Sequence, residues 1–589
     1  MTDPVARAKR IFSPGKTLLL LVAVYFTVNV RWIWLYRQNN LLDIDEAGYL
    51  GMAFSYYHSL SGTGLGDWLK SVLSPGIQAP ITPALASLLF WISTPSILVG
   101  FVVPLLAGVL CVISTYWLAR CLMRAQSALL ASALVASCPV LVIYTRSFHF
   151  AIPATALFTL ALVCILRSRN FSRPLWASLF GICMGLLPLT RTMTIAFLPG
   201  LVMGAVVHTL SQRRDLWPRL GVLTWSLMLA SVVAGTWLLG SASQVFGYLF
   251  NFGYGRQSVE YGLKQSIFSS EALHNTLKMF LFNIYFPHAL LSLVGMIAAG
   301  CLAVFNICRY GFTPTLTDFA RSPALPLLLI LTEAILALTS SRNSGSAFPA
   351  PILPLAIVLS VWAIDACLKN GFARSFAGFL GGFICFIAAV PLADLFWKSA
   401  QTWIVPLPFL GIEPIIKSGN GTLQYYELNN TNIAKPLKSE QDDKQLTGTQ
   451  RQAWMTLIEQ SSQALRANPA AAKGGVVFGF RHYYLNPNTI RLDSLMNGIN
   501  LYGLNSISPS ETEVSVKGYV DWLSKKDTAR ACLLLTFTGV QGMFIPVVSY
   551  GQMVQAAKIV GFVPSQSWSA PTGQQLQLWK RDLPENACK

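Results

Sequence analysis

Apolar runs of about twenty residues recur along the first two thirds of the chain, each long enough to cross a hydrocarbon layer. Read by this pattern, spans are expected at 17–36, 96–119, 127–144, 148–166, 174–190, 192–210, 220–239, 279–305, 323–340, 347–366 and 376–397. That makes about eleven transmembrane helices. A shorter apolar segment, "ITPALASLLFWI" (Ile81 to Ile92), does not reach across and is expected to lie along or dip into the interface.

The pattern changes after residue 398. "GGVVFGF" (474–480), "ACLLLTFT" (531–538) and "LQLWKR" (576–581) read as short buried strands. "TQRQAWMTLIEQSSQALRAN" (449–468), "SETEVSVKGYVDWLSKK" (510–526) and "SYGQMVQAAKIVGF" (549–562) read as helices, the last stopping at Gly561. The expected architecture is a polytopic α-helical membrane module, 1–398, followed by a soluble α/β domain, 399–589.

Composition agrees with the pattern. The 589 residues are 53% hydrophobic and 12% charged, about half the charge of an ordinary soluble chain. The net charge of +18 is concentrated in the membrane module. Residues 1–398 hold 26 Lys/Arg and 12 Asp/Glu, whereas 399–589 hold 17 and 13. With the N-terminus in the cytoplasm, the basic groups fall in the inner loops: Arg7/Lys9/Arg10/Lys16, Arg120/Arg124, Arg167/Arg169/Arg173, Arg213/Arg214/Arg219, Arg309/Arg321 and Lys369/Arg374. The Lys/Arg bias therefore orients the chain, and no nucleic-acid partner is needed to explain the charge. Nine of eleven cysteines lie within or beside the apolar half. Cys532 and Cys588 stand apart and are placed to pair only if their compartment is oxidising.

The same topology puts a long loop, 37–95, on the outer side. It holds "NNLLDIDEAGYLGMAFSYYHSL" (Asn39 to Leu60), where Asp43, Asp45 and Glu46 fall within four positions. A lone carboxylate in a loop is ordinarily solvated surface, but this is a cluster at the edge of a membrane. Asp45 and Tyr49 are one helical turn apart and share a face, whereas Asp45 and Glu46 point in different directions. One carboxylate is thus free to act as a base while the other holds an acceptor or a cation. Arg146, Arg191 and Arg342 sit at outer ends of spans, where guanidinium groups suit phosphate; each alone also reads as a snorkelling arginine. Glu333 is an ionisable residue within a span, either functional by default or paired with Arg342. His58 and His149 also fall on the outer side; lone histidines there are more often structural or simply exposed.

These motifs, in this order, resemble the GT-C fold glycosyltransferases. The likeness is to the group related to dolichyl-phosphate-mannose protein mannosyltransferases and bacterial aminoarabinose lipid A transferases. "DIDEAGY" resembles the acidic motif after the first span, and "APITPALASLLFWIS" (79–93) the proline-containing segment before the second main span. "VLVIYTRSFHFAIPATALFTLALVCILRSR" (140–169), "GLLPLTRTMTIAFLPGLV" (185–202) and "SSRNSGSAFPAPILPLA" (340–356) follow. Two features depart from the pattern. "GIQAPITP" has Gln78 and Ala79 where relatives often have His or Lys before a Pro-Pro pair, and His149 stands near where some have an acidic residue.

The resemblance implies an inverting transferase with a polyprenyl-phosphate-linked sugar donor and a lipid or polysaccharide acceptor, working on the outer face. Asp45 is implied as the base, Glu46 as its positioning partner, and Arg191 and Arg342, with Arg146, as donor-phosphate contacts. Asp43, Tyr49, His149 and Glu333 remain substrate-binding candidates. No organic cofactor is implied, and a divalent metal is left open. A bacterial inner membrane is expected, with the C-terminal domain periplasmic. The alternatives are a protein O-mannosyltransferase-like enzyme, a flippase or transporter of lipid-linked sugars, and a polymerase using a diphosphate-linked donor. The absence of a convincing internal repeat argues against transport.

Overall fold

A computed structural model describes residues 13–37, 41–212, 214–255, 258, 267–343, 347–369, 403–404, 415–417, 448–468, 471, 475–482, 484–501, 503–508, 512–525, 528–538, 547–571 and 573–581. The expected span 376–397 and the boundary between modules at 398 lie outside them.

The membrane module begins with α1 (Pro14–Tyr36), followed by the acidic helix α2 (Ile44–Thr63), α3 (Leu65–Val72) and α4 (Ile81–Ile92). Then come α5 (Val102–Arg120), α6 (Ala125–Ala136), α7 (Pro139–Thr145), α8 (Ala151–Arg167) and α9 (Pro174–Thr190). After a 3-10 turn, Thr192–Phe197, the chain forms α10 (Leu198–Leu210), α11 (Leu216–Gly253), α12 (Ser270–Tyr310), α13 (Phe312–Arg321), α14 (Ala324–Ser340) and α15 (Leu353–Lys369).

Among the described residues, six helical segments are long and apolar enough to cross a membrane, or up to eight if each bent pair is one span. The expected span 127–144 is such a pair, bent by 63° between α6 and α7, because Pro139 begins a new helix with no N–H to continue the old one. The helices of the expected spans 220–239 and 279–305 both extend into the outer stretch between them. α11 runs on for 38 residues to Gly253, about 57 Å at 1.5 Å per residue, so it extends well past a 30 Å hydrocarbon layer.

Contacts at the helix ends agree with the alternation of loops. Asp365, near the end of α15, binds Arg124 at 2.9 Å and Lys369 at 2.7 Å, so two loops expected to share a side do so. Asn170 donates from its backbone to His208 Nε2 at 3.1 Å, joining two more loops of that side. At the opposite end Trp237 donates to Ser74 O at 3.2 Å and Arg342 N donates to Gly253 O at 3.0 Å.

α9 and α11 pack backbone to backbone. A Cβ on Gly181 would stand 2.3 Å from Ser226 O, and one on Gly185 would stand 2.6 Å from Ala230 O. Small residues four apart permit this approach, which closes a helix pair in a medium without a hydrophobic driving force. α9 ends just beyond it, at Thr190.

A two-stranded ladder, β1 (Trp403–Ile404) with β2 (Ile415–Lys417), precedes the C-terminal domain. The domain itself comprises α16 (Gly448–Arg466), β3 (Val476–Phe478), α17 (Pro487–Met496), β4 (Asn505–Ser506), α18 (Val516–Leu523), β5 (Leu533–Phe537), α19 (Tyr550–Ile559), β6 (Phe562–Ser569) and β7 (Gln575–Arg581). The sheet order is β4-β3-β5-β7-β6. β4, β3 and β5 are parallel, and β7 and β6 close the sheet antiparallel. Alternate residues of the central strands face opposite cores. Phe478, Leu533 and Leu535 meet Trp454, Leu457 and Ile490 on one side. Val477 and Leu534 meet Tyr519, Trp522 and Met553 on the other.

The three expected strands and three expected helices are present, with the 510–526 helix starting only at Val516 because Ser515 caps it. Gly561 takes φ +90 directly after the last of them, a left-handed turn suited to glycine. The sequence reading missed α17, β4 and β6. Cys532 is disulfide-bonded; its counterpart lies outside the described residues.

Candidate active site

The acidic stretch folds as the start of α2. Asp43 is its N-cap, accepting from Glu46 N at 2.6 Å, which satisfies an orphan donor of the first turn. Asp45 and Glu46 occupy that turn, where negative charge is favoured by the helix dipole. From here the three carboxylates diverge.

Glu46 is buried, 1% exposed. The guanidinium of Arg37 grips both its oxygens, and Oε1 also accepts from Phe148 N at 3.0 Å. It ties the end of α1, the start of α2 and the turn before α8 together. Asp43 is also buried, and its carboxyl is pushed well above the usual range by burial and then by the charges of Glu46 and Asp45.

Asp45 is exposed. Its carboxyl is nevertheless raised to about 6, first by the protein surrounding it, with Arg191 opposing the rise, Glu46 adding to it and Arg481 again opposing. Asp45 is thus exposed at its own surface while much protein lies around it. Tyr49, one turn along, stacks on Phe150 at 3.8 Å between ring centroids and meets His149 edge-on at 5.5 Å. Burial and the neighbouring charge of Asp45 raise its phenol well above the usual value. His149 is buried, accepts from Ala151 N at 3.1 Å through Nδ1, and packs against Tyr144 at 4.9 Å. Burial and then Arg191 hold its pKa well below the usual histidine value.

Arg191 is placed by a break in the chain. α9 stops at Thr190, Arg191 takes an extended backbone, and the 3-10 turn follows. Its Nη1 donates to Ala347 O at 2.6 Å, and its guanidinium lies 5.3 Å from the Phe348 ring centroid. The same arginine lines a cavity of about 360 Å³ whose walls are mainly apolar, including Ile195, Phe246, Leu249, Phe280 and Leu338. Arg191 thus lines a greasy cavity while its charge also acts on the Asp45 carboxyl.

The other candidates are dispersed. Arg342 is exposed and sits between Ser341 and Asn343, which line the cavity, placing it at the rim. Arg146 is buried in the module, donating from Nε to Asn29 Oδ1 at 2.6 Å and lying 4.6 Å from the Trp32 ring centroid. Glu333 lies against α10, where a Cβ on Gly200 would fall 2.3 Å from its Oε2. Among the described residues it forms no ion pair with Arg342. His58 donates from Nε2 to Leu495 O at 2.9 Å. Among the described residues no three His, Cys, Asp or Glu side chains converge as a metal set.

Three contributors escaped the sequence reading. Arg37 lies just past the first span, the one signal that could have marked it as a partner for the acidic cluster. Tyr248 influences Tyr49 and comes from the part of α11 read as loop. The charge of Arg481, in the C-terminal domain, also acts on Asp45, and no local pattern announces such an influence.

No curated protein sequence matches this chain. Residues 77–237 match the family model described as dolichyl-phosphate-mannose-protein mannosyltransferase. ArnT from Cupriavidus metallidurans in the apo state superposes with a TM-score of 0.51 at 15% identity, covering 95% of this chain and 97% of that one. The same protein bound to undecaprenyl phosphate superposes with a TM-score of 0.51 at 13% identity, with the same coverage. The Archaeoglobus fulgidus oligosaccharyltransferase, tethered with an acceptor peptide containing the NVT sequon, also gives 0.51, at 13% identity, covering 97% of this chain and 75% of that one. The chain thus has the GT-C fold of these membrane glycosyltransferases, and its segment 77–237 is similar to the mannosyltransferase family model.

Proposed function

We propose that the protein is an inverting glycosyltransferase that moves a sugar from a polyprenyl-phosphate donor to a hydroxyl of an envelope glycan or glycolipid. The observation that carries this reading is Arg191, which at once influences the Asp45 carboxyl and lines the apolar cavity. A polyprenyl chain suits walls of that composition, and its phosphate suits the guanidinium.

In this mechanism Asp45 accepts the proton of the acceptor hydroxyl as its oxygen attacks the anomeric carbon. The bond from that carbon to the phosphate oxygen breaks on the opposite face, and polyprenyl phosphate departs with the electron pair. Arg191 stabilises the charge that develops on the leaving group; Arg342, at the rim, adds a more weakly placed cation. Glu46 acts through position, keeping the first turn of α2 against α1 and α8. The bilayer is the route by which the donor arrives.

The working division is a membrane module, 1–398, and a C-terminal domain, 399–589. We place the N-terminus in the cytoplasm and the C-terminal domain in the periplasm of a bacterial inner membrane. The Lys/Arg distribution supports that orientation, and the disulfide at Cys532 suits an oxidising compartment.

The test is transfer from a panel of radiolabelled polyprenyl-phosphate sugars to total envelope extract. Label transferred by the wild type and not by folded Asp45→Asn supports the reading and identifies the donor. Equal transfer by both removes Asp45 as the base.

A further inference from the structure

The C-terminal domain does not merely sit beside the membrane module. Its helix α17 docks on the acidic helix α2, where Leu492 and Leu495 join one core with Leu42, Ala47, Leu50 and Phe54. Asn488, in the first turn of α17, donates from Nδ2 to Ile44 O at 2.7 Å. It can approach because position 48 is glycine: a Cβ there would stand 2.9 Å from the amide nitrogen. The carbonyl it holds belongs to the residue immediately before Asp45.

The loop that leads into α17 is firmly built. His482 is 3% exposed, stacks on Trp454 at 4.7 Å, and accepts from the backbones of Tyr484 and Leu485 at 3.3 Å. Asn486 closes a capping box with Thr489. Arg481 leads this loop, next to His482, and its charge acts on Asp45 together with that of Arg191. The two cations come from separate modules. Among the described residues, the lining of the apolar cavity runs from Arg191 to Pro351 and includes none from the C-terminal domain.

We propose that the C-terminal domain completes the active site: Asn488 positions Asp45, and Arg481 binds an oxyanion of a substrate beside it. The inference rests on the transferase reading above. A guanidinium offers a forked set of donors to a phosphate or carboxylate, and the firm loop limits the entropy lost on binding. The oxyanion has two sources, the donor phosphate and an acidic group on the acceptor, and the chemistry of recognition is the same for both.

The experiment uses the full-length protein and its Arg481→Ala, Arg481→Lys and Asn488→Ala variants, each shown by a cooperative thermal transition to be folded at the assay temperature. One arm measures the dissociation constant for undecaprenyl phosphate. The other measures transfer from saturating labelled donor as envelope extract is titrated. Arg481→Ala is expected to weaken one of these by roughly tenfold or more, with Lys recovering part of the loss because the charge remains. Weakened undecaprenyl phosphate binding assigns the oxyanion to the donor. An intact dissociation constant with a raised extract requirement assigns it to the acceptor. Asn488→Ala should instead lower the maximal rate, leaving both affinities within about twofold. Arg481→Ala equal to an active wild type in both arms overturns the binding role. A wild type that transfers nothing overturns the transferase reading itself, and this inference with it.

Discussion

Arg37 holds both carboxylate oxygens of Glu46, and both side chains are shielded from water at 7% and 2% exposure. Removing one partner leaves the other charge buried without compensation. Arg37→Ala is therefore expected to destabilise the protein by about 3–5 kcal/mol, measured as loss of thermal midpoint in detergent. The loss should exceed that from substituting exposed Asp45. Comparable midpoints for the two variants would contradict the assignment of Glu46 to structure.

Asp45 gives a pH dependence of definite sign. Its carboxyl is raised to about 6, so the base form is lost as pH falls through that value, and kcat/KM should drop along an acid limb near 6. Arg191 and Arg481 both oppose the rise, so Arg481→Ala should move the limb to higher pH. A limb that stays near pH 4 would exclude Asp45 as the titrating group.

The same shift bears on stability. A carboxyl raised above its unfolded value of 3.8 binds its proton more tightly in the folded protein. Its contribution is favourable below 3.8 and is lost as pH rises through about 6. Asp45→Asn removes that burden at neutral pH. The variant should melt above the wild type at pH 7.5 and converge with it near pH 4, as followed by thermal unfolding across buffers. A neutral-pH midpoint below the wild type would count against a strained carboxylate.

Arg191 tests the leaving-group side. Losing a group that stabilises developing charge costs about 3–4 kcal/mol, or 10²–10³ in kcat. Arg191→Ala should show a loss of that order in single-turnover transfer, and Arg191→Lys a smaller one. Loss confined to donor KM would recast Arg191 as a binding group only.

Gly48 and Asn488 should be coupled. Gly48→Ala pushes on the amide that holds Ile44 O, an effect of about 1 kcal/mol. Asn488→Ala removes the same hydrogen bond, so the two changes together should cost less than their sum. Strict additivity in a double-mutant cycle would show that the contact carries no weight.

How much of this could be read from the chain depended on the range of the interaction. Long apolar runs are dictated locally by the hydrocarbon solvent, so most described spans appeared where expected. The break at Pro139 was masked because 127–144 is apolar throughout, and a bend does not alter hydropathy. The outward extension of α11 was missed because "GSASQVFGYLFNF" is polar and aromatic enough to resemble a loop. The acidic cluster was legible as chemistry, and helical geometry already separated Asp45 from Glu46. Which carboxylate was buried could not be read, since that depends on Arg37 folding back over the helix. Arg191 was marked by its turn; Arg481 had no such mark, because only the docking of α17 brings it near Asp45.

That docking also sets an order of events in the life of the molecule. The first turn of α2 is made early in synthesis, but the amide that steadies it belongs to residue 488, far downstream. A nascent chain halted before α17 emerges has its carboxylates and its membrane spans without the contact that seats Asp45. The contact that steadies the first turn of α2 is thus available only once synthesis has passed α17.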